Sequence, residues 1–174
     1  MEVQTLQDVI RHSAQAYAEQ AAYRYKVKKE VVDKTYQELG QDSMAVSRMV
    51  ENLGMKGKHI AILGTTTYPW IVSFFGVTNS GSVAVPIDAQ LPAEAICELL
   101  ERADVEMLFF DEIRADVAVM AAEKCPRVRY IVSFQAEASG KDENGREGIL
   151  SWEELRKQNE GDYETEIDPD QLCT

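Results

Sequence analysis

Histidine is nearly absent: His12 and His59 are the only two in 174 residues. With no Gly-x-Ser-x-Gly elbow either, a Ser-His-Asp hydrolase has nothing to be built from. Cysteine is equally sparse. Cys97, Cys125 and Cys173 lack the spacing of zinc ligands, and neither histidine lies near them in sequence. An odd number of widely spaced thiols suits a reducing compartment, so a cytoplasmic location is expected. No apolar run approaches the ~20 residues of a membrane-spanning helix. The acidic start Met1-Glu2-Val3-Gln4 lacks the regions of a signal peptide. Positive charge is scarce, with 18 Lys and Arg against 30 Asp and Glu and a net charge of -12. The largest basic cluster is Lys26, Lys28 and Lys29, too few to bind a polyanion. Nucleic acid and anionic membrane are therefore not expected as partners.

What is present is a core-forming chain, 45% hydrophobic. Thr5 can cap a first helix bearing Leu6, Val9, Ile10, Ala14 and Tyr17 on one face. Tyr23, Tyr25 and Val27 alternate like a strand, and Val31 to Lys34 reads as its hairpin partner. Thr35-Tyr36-Gln37-Glu38 is a capping box that opens a helix running to Gly54. Gly40 inside that helix should cost about 1 kcal/mol relative to Ala. From Gly57, strands alternate with helices. The strands are Ile60–Leu63, Val83–Val85, Met107–Phe110 and Val128–Val132, with helices around Trp70 to Val77, from Pro92, and from Ile113. This alternation predicts an α/β fold, a parallel sheet with flanking helices preceded by a helix and a hairpin. Gln135 to Gly148 reads as a polar surface loop, Ser151 as the cap of a short helix, and Gly161 to Asp170 as an acidic connector. Leu172-Cys173 reads as the start of a further strand. The organisation expected is residues 1–56 (helix, hairpin, helix), 57–134 (βα repeats) and 135–174 (loop, short helix, connector).

These elements occur in a familiar order. Thr35-Tyr36-x-Glu38-Leu39, Leu53-Gly54-Met55-Lys56-Gly57-Lys58-His59-Ile60-Ala61-Ile62, and Trp70 followed by Ser80-Gly81-Ser82-Val83-Ala84-Val85-Pro86-Ile87 resemble the N-terminal part of the AMP-forming acyl-CoA synthetases. Leu91-Pro92, Phe109-Phe110-Asp111, Leu150-Ser151-Trp152-Glu153-Glu154-Leu155 and Asp168-Pro169-Asp170-Gln171-Leu172 continue the likeness. Lys58-His59 and Ala89 depart from the usual pattern. The resemblance implies a parent enzyme that uses ATP, Mg and CoA to turn a medium- or long-chain fatty acid into acyl-AMP and then acyl-CoA. It also implies that the phosphate-binding loop and the catalytic groups follow Thr174. On that basis residues 1–174 are expected to be inactive alone, with the remainder of the parent chain as partner. Two alternatives stay open: the adenylation domain of a peptide synthetase, and a non-enzymatic α/β binding module complete at Thr174.

Within the chain, no catalytic, cofactor-binding or metal-ligating residue is assigned. Gly64-Thr65-Thr66-Thr67 sits between strand and helix, where open α/β folds bind ligands. It lacks the glycine spacing and lysine of a nucleotide loop, so Thr67 reads as a helix cap. Asp88 reads as a turn-former, His12 and His59 as surface or turn residues, and Glu153-Glu154 as a solvated helix start. Trp70, Phe74 and Phe75 would pack against the rest of the parent rather than line an acyl tunnel. The stretch from Trp70 to Val77 is accordingly expected to be uncovered, favouring a homodimer through it. The hairpin from Tyr23 to Lys34 is expected to lack partner strands and to be mobile.

Overall fold

The computed structural model describes residues 3–140, 148–161 and 163–174. Thr5 caps α1 (Leu6–Ala16), its hydroxyl accepting from the Asp8 amide while the Asp8 carboxylate accepts from the Thr5 amide. Of the apolar face expected for α1, Ile10 is buried, whereas Val9 and Tyr17 are exposed. The helix is held at one edge rather than sunk into the core.

β1 (Ala21–Val27) and β2 (Glu30–Thr35) form an antiparallel hairpin that pairs with no third strand among the described residues. Its Lys28-Lys29 turn places Lys28 at φ 56, a left-handed conformation that costs a residue with a Cβ about 1 kcal/mol. The strand ladder supplies the compensation. Thr35 and Glu38 form the expected capping box of α2 (Tyr36–Asn52).

Five strands then make a wholly parallel sheet: β3 (His59–Leu63), β4 (Val83–Ile87), β5 (Val105–Phe110), β6 (Tyr130–Ser133) and β7 (Ile149–Ser151). Their spatial order is β4-β3-β5-β6-β7. The helices between them are α3 (Tyr68–Asn79), α4 (Ala93–Arg102) and α5 (Ala115–Lys124), with α6 (Trp152–Gln158) after β7. The near-continuous apolar strands reflect burial on both faces. Ile60, Ile62, Met107 and Phe109 point to α1, α2, α3 and α6. Ala61, Leu63, Leu108 and Phe110 point to α4 and α5.

β7 is a strand where the sequence predicts only a loop and a cap. Three residues are too short to show a period, and the pairing Val132↔Leu150 fixes them to β6. Of the polar loop expected from Gln135 to Gly148, residues 141–147 lie outside the described residues, as does Asp162 in the acidic connector. Leu172-Cys173 form no strand, although the Ala84 amide on the β4 edge donates to the Cys173 carbonyl at 2.8 Å. Pro86 lies two residues on, on the same outward side of β4, where its missing N–H leaves no ladder bond unmade.

Candidate functional site

The chain runs from β3 out to β4 and returns across β3 to β5, so the strand order, though not the strand direction, reverses between β3 and β5. In open α/β folds the crevice beyond the carboxyl ends of two such strands is the usual ligand position. Here Gly64 follows β3 and Asp111 follows β5. Gly64 holds φ 140, and a methyl group there would fall within 3.0 Å of the Asp111 Cβ. Asp111 is buried, and its carboxylate accepts from the Thr65 amide (3.4 Å), the Ile113 amide (3.3 Å) and the Gln135 side chain (3.2 Å). The crevice is thus filled by a carboxylate that ties together the ends of β3, β5 and β6.

This arrangement decides the fate of the Gly64–Thr67 turn. A phosphate at the N-terminus of α3 would meet the Asp111 charge where it needs amide donors. The Thr67 amide is spent on the Thr65 carbonyl at 2.7 Å. Thr67 is the N-cap of α3 by position, but its hydroxyl makes no capping bond and is buried without a partner. The expected cap is therefore positional only. Pro69 at the start of the helix removes one amide that would otherwise need satisfying.

Beside the plugged crevice lies a cleft of about 810 Å³ between the hairpin and the ends of β6 and β7, walled by Tyr23, Tyr25, Tyr68, Phe134 and Trp152. Apart from Lys26 on the hairpin, its charges are paired internally. Arg156 donates to Asp42 at 2.8 Å and forks onto both Glu153 oxygens at 3.0 and 3.1 Å. Tyr68 donates to the other Asp42 oxygen at 2.7 Å. Burial first, and then this bond to Asp42, push the Tyr68 phenol well above its ordinary pKa. It is a fixed donor rather than a proton-transfer group. Lys34 pairs with Glu38 and lies 5.3 Å from the Tyr68 ring centroid. With Lys34, Glu38, Asp42, Glu153 and Arg156 engaged, the paired charges fix the wall on which the base of the hairpin is seated. Tyr23 completes that seat by donating to the Thr66 carbonyl at 3.1 Å and packing 5.9 Å from Tyr68.

The remaining expected residues separate. Asp88 does form a turn, accepting from the Gln90 amide at 2.9 Å on its side chain. His12 is exposed, whereas His59 opens β3 and its Nδ1 meets the Ala103 carbonyl at 2.6 Å. Glu153 is half-engaged with Arg156 rather than simply solvated, which holds its carboxyl below the usual range. The Glu154 carboxylate accepts from the Ser139 amide at 2.8 Å. Trp70, Ile71, Phe74 and Phe75 are each half-buried, with the Trp70 and Phe74 rings stacked at 5.9 Å. Cys97 and Cys125 are buried and free. Among the described residues, no three His, Cys, Asp or Glu side chains converge as metal ligands, so none is given a role toward magnesium.

Sequence reasoning misses the Arg156–Asp42–Tyr68 network and the plug at Asp111. Nothing local marks Asp42 and Arg156 as partners, since they stand 114 residues apart.

Residues 10–174 match the family model described as AMP-binding enzyme. Long chain acyl-CoA synthetase 3 of Arabidopsis thaliana is 28% identical over 134 residues, covering 74% of this chain and 20% of that protein. A nonribosomal peptide synthetase of Aspergillus ruber is 34% identical over 73 residues, covering 42% of this chain and 4% of that protein. Among solved structures, the coronafacic acid ligase from Pectobacterium brasiliense superposes with a TM-score of 0.81 at 18% identity, over 97% of this chain and 32% of that one. The chain thus spans about a fifth of the length of the plant synthetase and a third of the solved ligase. No helix among the described residues is long and apolar enough to cross a membrane.

Proposed function

The chain belongs to the AMP-binding enzyme family, and from that premise we propose that it is the N-terminal scaffold portion of an ATP-dependent, AMP-forming acyl-CoA synthetase acting on a medium- or long-chain fatty acid. The parent would join a carboxylate to ATP, releasing pyrophosphate and forming acyl-AMP. Attack by the CoA thiol would then release AMP and form the thioester. The observation that carries the choice of CoA ligase is coverage. The likeness to a long chain acyl-CoA synthetase extends over 74% of this chain, and that to a peptide synthetase over 42%. An adenylation domain of a peptide synthetase is the second reading.

The site geometry supports a scaffold role. The switch-point crevice is occupied by Asp111 and the adjacent cleft is charge-paired apart from Lys26, so ATP, magnesium and CoA would be held by the remainder of the parent chain. That remainder, or a second copy of this chain, would cover Trp70, Ile71, Phe74 and Phe75. The buried free thiols Cys97 and Cys125 support a cytoplasmic location.

The test is an acyl-hydroxamate assay with ATP, magnesium and a series of fatty acids. The 174-residue chain should give no product, and the protein encoded by the extended reading frame should. Product from the 174-residue chain alone would refute the scaffold reading. An extended protein that activates amino acids and loads a carrier domain would favour the peptide synthetase.

A further inference from the structure

Between α1, α2 and the end of α3 lies a recess of about 40 Å³ whose walls include Ala14, Gly40, Met44, Ser47, Asn79 and Tyr163. Asn79 is the last residue of α3 and is only 4% exposed, yet its side-chain carbonyl has no hydrogen-bond partner. The Tyr163 hydroxyl is also buried without a partner. It lies near the Thr165 and Glu51 side chains, and burial, the largest cause, outweighs the opposing effect of Thr165 to push its pKa up to about 12. Each such orphaned group would cost about 1–3 kcal/mol. Ser47 directs its hydroxyl proton toward the Ser43 and Gly76 carbonyls, leaving its oxygen lone pairs available.

The geometry points to a bound water molecule in this recess, donating to Asn79 Oδ1 and bridging to the Tyr163 hydroxyl. The volume exceeds the ~10–15 Å³ that a single water requires, and the polar groups meet the two to four partners such a water needs. Water fits where an anion does not, because the unsatisfied Asn79 atom is an acceptor. The consequence is mechanical. Tyr163 belongs to the connector that follows α6, and Gln7 in α1 already reaches both the Asn79 and Thr165 carbonyls, at 3.3 and 3.4 Å. The water would complete a clasp holding the connector against three helices, on its way to the β4 edge where the Cys173 carbonyl is bound.

Solution NMR on the ¹⁵N-labelled 174-residue chain tests this. The side-chain amide protons of Gln7 and Asn79 should show water cross-peaks of opposite sign in NOESY and ROESY spectra, the signature of long residence. Absent or same-sign cross-peaks would overturn the assignment. Tyr163→Phe should lower Tm by about 2–4 °C. Combined with Asn79→Leu, its effect should shrink, because both changes act through the same water. Strictly additive losses, or an unchanged Tm in Tyr163→Phe, would also overturn it. Neither readout depends on the enzyme family.

Discussion

Gly64 and Asp111 stand at the ends of adjacent parallel strands in contact so close that a side chain on the first cannot coexist with the second in place. The contact converts the usual ligand crevice of an open α/β sheet into a structural joint. Gly64→Ala faces two penalties, a φ of 140 that L residues rarely adopt and displacement of the Asp111 backbone. We expect a loss of about 3 kcal/mol or more in urea unfolding. A loss under about 1 kcal/mol would mean that the joint yields easily. Asp111→Asn should be milder, since the shape is kept and two amides still have an acceptor.

Gly40 offers a cleaner contest of effects. In a helix interior, Gly→Ala should stabilise by about 1 kcal/mol. Against this, a Cβ at Gly40 would lie 2.8 Å from the Ala14 Cβ across the α1–α2 contact, and overpacking of that kind costs about 1–3 kcal/mol. Gly40→Ala is therefore expected to destabilise, and Ala14→Gly in the same chain to recover part of the loss. A Gly40→Ala variant with a higher urea midpoint than the parent would show that α1 simply moves aside.

The Gly40 residue also shows what a sequence can and cannot disclose. Its presence in a strongly periodic helix is readable as a local cost, but the compensating partner, Ala14, is visible only once the helices are packed. Periodicity and capping expose every long helix and four of the five parallel strands, because each burial pattern is written locally. β7 escapes because three residues carry no period. Asp111 is visible as the end of a strand, yet its role depends on three donors from separate loops. The half-burial of Trp70, Ile71, Phe74 and Phe75 is milder than the uncovered face expected of residues that pack against the rest of the parent, since α3 packs against α2 along the Gly76 contact with Val46.

The capping box at the start of α2 gives a pH prediction. The Glu38 carboxylate accepts from the Thr35 amide, then from Lys34, and its pKa lies below the ordinary value of 4.5. The unfolded chain therefore binds a proton more readily than the folded one between those two values. This stability contribution is complete above about pH 4.5 and lost as the pH falls through the folded pKa. Glu38→Gln should be less stable than the parent near neutral pH, and the gap should close in acid, measured as urea midpoints from about pH 6 down to about pH 3. The carboxylate is partly exposed, so a gap well under about 1 kcal/mol is expected at neutral pH. A gap independent of pH would remove the ionised carboxylate from the account.

Hydrogen exchange should divide the hairpin. Its base is anchored by Tyr23 on Thr66 and by Lys34 on Glu38, whereas the Lys28-Lys29 tip is exposed. Amides near Tyr23 and Lys34 are expected to exchange slowly, and those beside the turn quickly. Uniformly fast exchange from residues 21 to 35 would mean that the cleft does not seat the hairpin at all.

Arg156 and Asp42 make the strongest energetic claim. Their side chains are 13% and 15% exposed, so the pair is screened little by salt. Asp42 is shared between Arg156 and Tyr68, and Arg156 between Asp42 and Glu153. Removing one member strands the others in a poorly solvated place, and breaking such a pair costs about 3–5 kcal/mol in buried settings. Arg156→Ala should fall toward the lower end of that range, because Glu153 can turn to solvent. Tyr68→Phe should cost about 1–2 kcal/mol, the value of a bond to a charged acceptor. Both variants should also speed exchange at the hairpin base, since Tyr68 is the surface on which Tyr23 rests. Raising the salt should leave the Arg156→Ala deficit nearly unchanged. A deficit that disappears in high salt would reduce the network to ordinary surface ion pairs, and the hairpin would then be held by its aromatic contacts alone.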